Sequence, residues 1–221
     1  MPLLRHAIRF ERLPDATLAA FAKLATTVVT DAMNRAQAMA GAIKSVAPGM
    51  RLCGQARTLA AMVGDNGGIH ALVALARPGE VLVVDAGGVE DIAVFGEILA
   101  RAAVARGIAG VVLDGATRDV AELRAMGFPV FSRAVVPRGP HKGFGGTIDG
   151  PIAAGGVPVR PGDLVIGDDD GVVVVPLDQA CQVLVAAQAN VEKESRWMAE
   201  IANGRATTEM LGIPEPEVIE R

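Results

Sequence analysis

The sequence predicts an α/β fold with a central parallel β-α-β core and a C-terminal helix, and three observations predict it. Two continuous apolar runs, Val81 to Asp85 (VLVVD) and Ala109 to Leu113, flank an Ala-rich helical stretch from about Val94 to Arg106. Such runs are characteristic of strands buried on both faces of a parallel sheet. A turn (Asp114 to Arg118), a helix (Asp119 to Met126) and a short strand (Pro129 to Ser132) repeat the pattern. Three parallel strands with right-handed crossovers follow from this. Last, Leu177 to Asn203 carries Val183, Leu184, Ala187, Val191, Met198 and Ile201 along one side and meets Gly204, the mark of a long amphipathic helix and its stop.

Ahead of that core, Asp15 to Met39 has apolar residues at helical spacing (Leu18, Phe21, Ala25, Val28, Val29, Ala32), with Asp15 suited to cap one or two helices. Arg51 to Met62 has strand character, Gly64 to Gly68 forms a turn into a short helix at Ile69 to Ala76, and Pro78-Gly79 turns the chain again. Beyond the core, Gly143 to Gly146 is glycine-rich, and Val157 to Pro176 reads as short antiparallel strands between tight turns. The Asp168-Asp169-Asp170-Gly171 cluster lies between two apolar runs, so a hairpin turn explains it better than a metal site does. The tail after Gly204 is polar and contains proline.

At 221 residues the chain suits one domain, and no solenoid repeat or linker divides it. With 51% hydrophobic but 3% aromatic residues, the core must be built from Ala, Val, Leu and Ile rather than rings. Net charge is -4 and no Lys/Arg run is present, which argues against nucleic acid as a ligand. The apolar runs stop well short of the roughly 20 residues of a membrane span, and the start lacks a signal-peptide core, so no membrane role and a cytoplasmic location are expected. Cys53 and Cys181 form no Cys-x-x-Cys pair and read as buried small apolar residues.

Loops at the carboxyl ends of neighbouring parallel strands lie on one edge and commonly bind ligands. The first such loop leads Gly96, Glu97, Ile98 and Leu99 into a helix start, where unpaired amides and the helix dipole attract an anion. The second ends in Arg118-Asp119. The Arg118 fork suits a carboxylate, and the Asp119 oxygens suit a hard divalent ion such as Mg2+ or Mn2+. Together they fit a 2-oxo acid, with its carboxylate on Arg118 and the amides and its keto group polarised by a metal at Asp119. That is what retro-aldol cleavage or β-decarboxylation requires. An Arg-Asp step at a helix start is also what a plain helix cap looks like, and spacing alone does not separate the two.

Other chemistries lack their motifs. His6, His70 and His141 are isolated, and no Gly-x-Ser-x-Gly elbow or P-loop is present. None of Lys23, Lys44, Lys142 and Lys193 falls in a predicted parallel strand or the loop after it, which favours metal over imine catalysis; Lys142 neighbours the glycine-rich loop.

The segments VLVVDAGG, FGEILARAAVARGIAGVVLDGATRDVAELRAMGFPVFSR and PGDLVIGDDDGVVVVP closely resemble the RraA-like/4-hydroxy-4-methyl-2-oxoglutarate aldolase family, from roughly Thr30 to Pro176. Its most specific element is an acidic residue ahead of an Arg-Asp pair, here Glu97 before Arg118-Asp119, with Glu in place of the more usual Asp. The resemblance implies a three-layer ββα sandwich of the swivelling type, a single RraA-like domain over residues 1-221 with 177-221 as C-terminal helix and tail, and a homotrimer or homohexamer. It implies that the Gly96 to Leu99 amides and Arg118 hold the pyruvate moiety, Asp119 ligates magnesium, and Glu97 hydrogen-bonds metal-bound water. Glu194 on the long helix would be a candidate to reach a neighbouring subunit's site. The activity implied is cleavage of 4-hydroxy-4-methyl-2-oxoglutarate or 4-carboxy-4-hydroxy-2-oxoadipate, with oxaloacetate decarboxylation beside it. The same family includes regulators that bind ribonuclease E, which is the alternative.

Overall fold

The computed structural model describes residues 2–143 and 145–219. A short strand β1 (Leu3–Arg5) precedes two helices, α1 (Asp15–Phe21) and α2 (Thr26–Ala32). Asp15 lies inside the first turn of α1, with Pro14 at the cap position. After β2 (Lys44–Ser45) come β3 (Leu52–Ala61), α3 (Gly67–Leu75), β4 (Val81–Asp85), β5 (Ala93–Phe95), α4 (Glu97–Ala105), β6 (Gly110–Thr117), α5 (Val120–Met126) and β7 (Val130–Val135). The β-rich part holds β8 (Gly146–Ile148), β9 (Ile152–Ala154), β10 (Val157–Val159), β11 (Leu164–Asp168) and β12 (Gly171–Val175). A 3-10 turn (Leu177–Gln179) leads into α6 (Ala180–Ala202), and α7 (Thr207–Leu211), absent from the sequence expectation, follows.

The main sheet runs β1-β8-β3-β4-β6-β7-β2, and its centre, β3-β4-β6-β7, is parallel throughout. Every residue of β6 is buried, which is why its apolar run is continuous rather than alternating. One face packs against α3, α4 and α5 through Leu82, Val84, Val111 and Leu113, with Leu99, Ala100 and Ala103 as the inward stripe of α4. The opposite face, with Val81, Val83, Val112 and Phe131, packs against the β9/β10 and β11/β12 hairpins. These are the helix, sheet and sheet layers of a ββα sandwich. A further helical layer of α1, α2 and α6 covers the outer face of β11/β12, where Leu164, Ile166, Val173 and Val175 lie.

Three expectations shift. The helix expected from Val94 begins at Glu97, because Ala93–Phe95 is drawn into β5 beside β6. The turn expected at Asp114 to Arg118 is strand as far as Thr117; β6 continues past a register shift between Leu113 and Ala116 to pair with β5 and β7. Cys181 is exposed and Cys53 half-buried, so neither is the fully buried residue expected. In the first turn of α6 it is Ala180 and Val183 that face inward, which turns Cys181 out. Among the described residues no helix is long and apolar enough to cross a membrane.

Candidate functional site

The extension of β6 builds the site. Beyond Asp85, where β4 ends opposite Asp114, β6 runs on and takes β5 as its neighbour, with Phe95 beside Thr117. The Arg118 amide donates to the Phe95 carbonyl at 3.0 Å, and the buried Thr117 hydroxyl donates to the same carbonyl at 3.1 Å. The residues that leave the two strands, Gly96 and Arg118, therefore emerge side by side.

Gly96 has φ -173, extended backbone open to any residue, so conformation does not demand glycine there. Space does. A Cβ on Gly96 would lie 2.4 Å from Asp119 Oδ2 and 3.0 Å from Arg118 Cγ. Close approach of the α4 start to the Arg-Asp pair thus depends on that missing side chain.

Asp119 stands at the N-cap of α5 in the left-handed region, φ 59 and ψ 41, which Asp tolerates better than most residues. Its side chain makes no capping bond to α5. Instead Oδ2 accepts a hydrogen bond from the Glu97 amide, 3.0 Å away at the start of α4. The carboxylate therefore does not cap its own helix; it serves the start of the neighbouring one. Arg118 Nε lies 3.5 Å from the same oxygen, and the two side chains are 39% and 35% exposed, so both reach solvent.

Four further features complete the geometry. The Ile98 and Leu99 amides have no acceptor among the described residues, as expected for the first turn of a helix, and they lie in the turn next to Arg118-Asp119. The Ile98 side chain is exposed and that of Leu99 is core, so only their backbones are available to a ligand. Glu97 turns its carboxylate to Arg101, with Oε1 2.7 Å from Nη2. Gly139, which sequence reasoning missed, backs the Arg118 guanidinium: a Cβ there would lie 2.6 Å from Nη1. The segment carrying Gly139 is tied down by the Ala93 amide donating to the Arg138 carbonyl and the Val136 amide donating to Thr117. No local motif signals a glycine whose missing side chain leaves room for a distant arginine.

Gly96, Glu97, Ile98, Leu99, Arg118 and Asp119 are thus brought together. Glu194 lies on α6, in the helical layer packed on α1 and α2. Among the described residues no group of three His, Cys, Asp or Glu side chains is arranged to hold a metal ion. Asp119 Oδ1 has no hydrogen-bond partner among them. One hard carboxylate oxygen on a part-exposed side chain fits an ion that keeps several waters, as Mg2+ does, better than zinc, which takes three or four protein ligands.

The family model described as RraA-like (Aldolase/RraA) matches residues 26–174. A protein of Halalkalibacterium halodurans, provisionally named as a 4-hydroxy-4-methyl-2-oxoglutarate aldolase, is 38% identical over 183 residues, 81% of this chain and 87% of that protein. The 4-hydroxy-4-methyl-2-oxoglutarate aldolase of Thermus thermophilus is 35% identical over 151 residues, 68% of this chain and 92% of the relative. Among solved structures, Streptomyces coelicolor RraAS2, described as an unusual member of the RNase ES inhibitor RraA protein family, superposes with a TM-score of 0.76 at 28% identity, covering 86% of this chain and 100% of the other.

Proposed function

The chain belongs to the RraA-like family, and on that premise we propose that it is a divalent-metal-dependent carbon–carbon lyase acting on a 2-oxo acid. The substrates are 4-hydroxy-4-methyl-2-oxoglutarate or 4-carboxy-4-hydroxy-2-oxoadipate, cleaved to pyruvate and a second oxo acid, with oxaloacetate decarboxylation as a side reaction.

The observation that carries this reading is the convergence of Arg118 and Asp119 on the start of α4, with Gly96 as the gap that admits them. The Arg118 fork and the Ile98 and Leu99 amides offer donors to the pyruvate carboxylate. The two amides are held by the helix backbone before substrate arrives, so they need no reorganisation when negative charge develops on the pyruvate half. Asp119, held by the Glu97 amide, keeps Oδ1 available to hold the metal. A divalent ion bound there, Mg2+ or Mn2+, would supply Lewis-acid polarisation of the keto group. Glu97 is within reach of ordering water beside that ion once it leaves Arg101. Assembly as a homotrimer or homohexamer, with Glu194 offered to a neighbouring chain, and a cytoplasmic location complete the proposal.

The test is a coupled assay of pyruvate release with and without EDTA. Release abolished by EDTA and restored by Mg2+ supports the proposal, and turnover that ignores EDTA removes the metal from it. The second reading, a regulator that binds ribonuclease E, draws support from the inhibitor description of the Streptomyces relative. Capture of ribonuclease E together with inactivity on all three substrates would favour it.

A further inference from the structure

Folding gathers arginines that the sequence scatters. Arg5, Arg9, Arg12, Arg57 and Arg77 line one cavity of about 380 Å3, walled by Phe10 and Leu75. It lies at the edge of the sheet where β4 begins, because Arg77 and Glu80 immediately precede that strand. Arg118 is at the opposite edge, where parallel strands β4 and β6 end.

Two carboxylates serve this group, and both are committed. Arg57, buried within β3, donates from Nε and Nη2 to the two oxygens of Asp149 at 2.7 and 2.8 Å, and from Nη1 to Glu80 Oε2 at 3.1 Å. Glu80 Oε2 also accepts the Arg77 amide at 2.7 Å, and Asp149 Oδ2 accepts Arg5 Nε at 3.1 Å. Burial opposes the Arg57 charge, but the hydrogen bonds and charges of Asp149 and Glu80 outweigh it and raise the pKa above the ordinary guanidinium value. Arg57 is therefore a fixed cation.

Arg9, Arg12 and Arg77 are different. All three are exposed, and none has a carboxylate partner among the described residues. Arg12 Nη2 lies 4.0 Å from where a Gly79 Cβ would be, which places it over the turn next to Arg77. Five guanidiniums against two carboxylates leave three positive charges in surplus, on a chain whose net charge is -4. Clustered like charge with low-dielectric walls raises the local concentration of anions, and guanidinium forks match the oxygens of carboxylates and phosphates. The volume is that of a small-molecule site.

We propose that this cavity is a second anion site, separate from Arg118, that takes a small molecule bearing two or three carboxylate or phosphate groups. The three unpaired arginines contact it, and the Arg57, Glu80 and Asp149 network forms the rigid floor.

Titration calorimetry of the full chain with citrate and with pyrophosphate tests this, in wild type, Arg118→Ala, Arg12→Gln, Arg77→Gln and the Arg12→Gln/Arg77→Gln double variant. At least one probe is expected to bind saturably, to keep a site in Arg118→Ala, and to weaken by about tenfold in each single glutamine variant and further in the double. Because Arg12 and Arg77 are exposed, the melting temperature should be unchanged. Preference for citrate or pyrophosphate identifies the anion as carboxylate or phosphate. Absence of saturable binding of both probes, binding abolished by Arg118→Ala, or binding indifferent to the double variant overturns the proposal.

Discussion

Asp119 Oδ2 accepts the backbone amide of Glu97 at 3.0 Å, so a residue at the head of α5 holds the head of α4. The bond joins the two β-α turns at the carboxyl edge of the sheet. It also fixes which carboxylate oxygen is occupied, leaving Oδ1 without a hydrogen-bond partner among the described residues.

Gly96→Ala tests that junction. The added methyl would fall 2.4 Å from Asp119 Oδ2 and 3.0 Å from Arg118 Cγ, so the pair must move. A displacement of about 1 Å at a reacting centre costs about a hundredfold in rate. Pyruvate release should fall by that order. Since φ is extended the backbone is unstrained, so any fall in melting temperature should be no more than that of disturbing the Asp119–Glu97 bond, and a variant with wild-type turnover would show that the close approach is not needed.

The buried network under β3 sets a stability prediction. Arg57→Ala leaves Asp149 and Glu80 buried without their main cation, a loss of about 3–5 kcal/mol for a broken buried pair. Arg5 is half-exposed and bonds Asp149 from outside, so Arg5→Ala should cost about 1 kcal/mol or less. Urea denaturation of the two variants reads the contrast directly; equal losses would show that Arg57 is not the central cation.

The two cysteines should differ in reactivity. Burial pushes the Cys53 thiol up to about 11, against a smaller lowering by Arg51, whereas Cys181 is exposed. The thiolate is the reactive form. Native protein should therefore titrate one fast thiol with a disulfide reagent and the second only on unfolding, and Cys181→Ser should remove the fast phase.

His70 offers a pH test. Although His70 is exposed, partial desolvation of its ring, and then the Lys142 cation, hold its imidazole below the ordinary value. A lowered pKa means that the neutral ring is favoured in the folded state, so its contribution to stability is present above the ordinary imidazole range and fades as pH falls through it. Lys142→Gln should raise the His70 pKa measured by NMR; an unchanged titration would place Lys142 too far away to act.

The parallel core was legible because buried strands leave continuous apolar runs at Val81 to Asp85 and Ala109 to Leu113, and Ala-rich helices leave a clear period. The Asp168 to Gly171 hairpin was legible from its Asp-Gly turn. What the hairpin does besides turning was not: the Asp168 carboxylate accepts both the Thr26 amide and hydroxyl across 142 positions, and no local pattern encodes a contact of that range. β1 was missed because three exposed residues pairing with Gly146 to Ile148 carry no periodic signal. At the site, residue types pointed to Arg118 and Asp119, and strand order pointed to Gly96 through Leu99. The left-handed backbone of Asp119, which turns its carboxylate away from its own helix, is set by tertiary contacts. So is the Arg-lined cavity, assembled from positions 5 to 80.

Asp119→Asn is the most direct measurement of the central claim. Asparagine keeps the size and an oxygen that can accept the Glu97 amide, so the junction of α4 and α5 survives while the charge offered to a metal is lost. Steady-state pyruvate release, titrated with Mg2+ in both proteins, should show a metal-dependent wild type and a variant slower by on the order of a thousandfold with no response to Mg2+. A variant that releases pyruvate at the wild-type rate, with the same Mg2+ dependence, would contradict the assignment of Asp119 as the metal-holding residue.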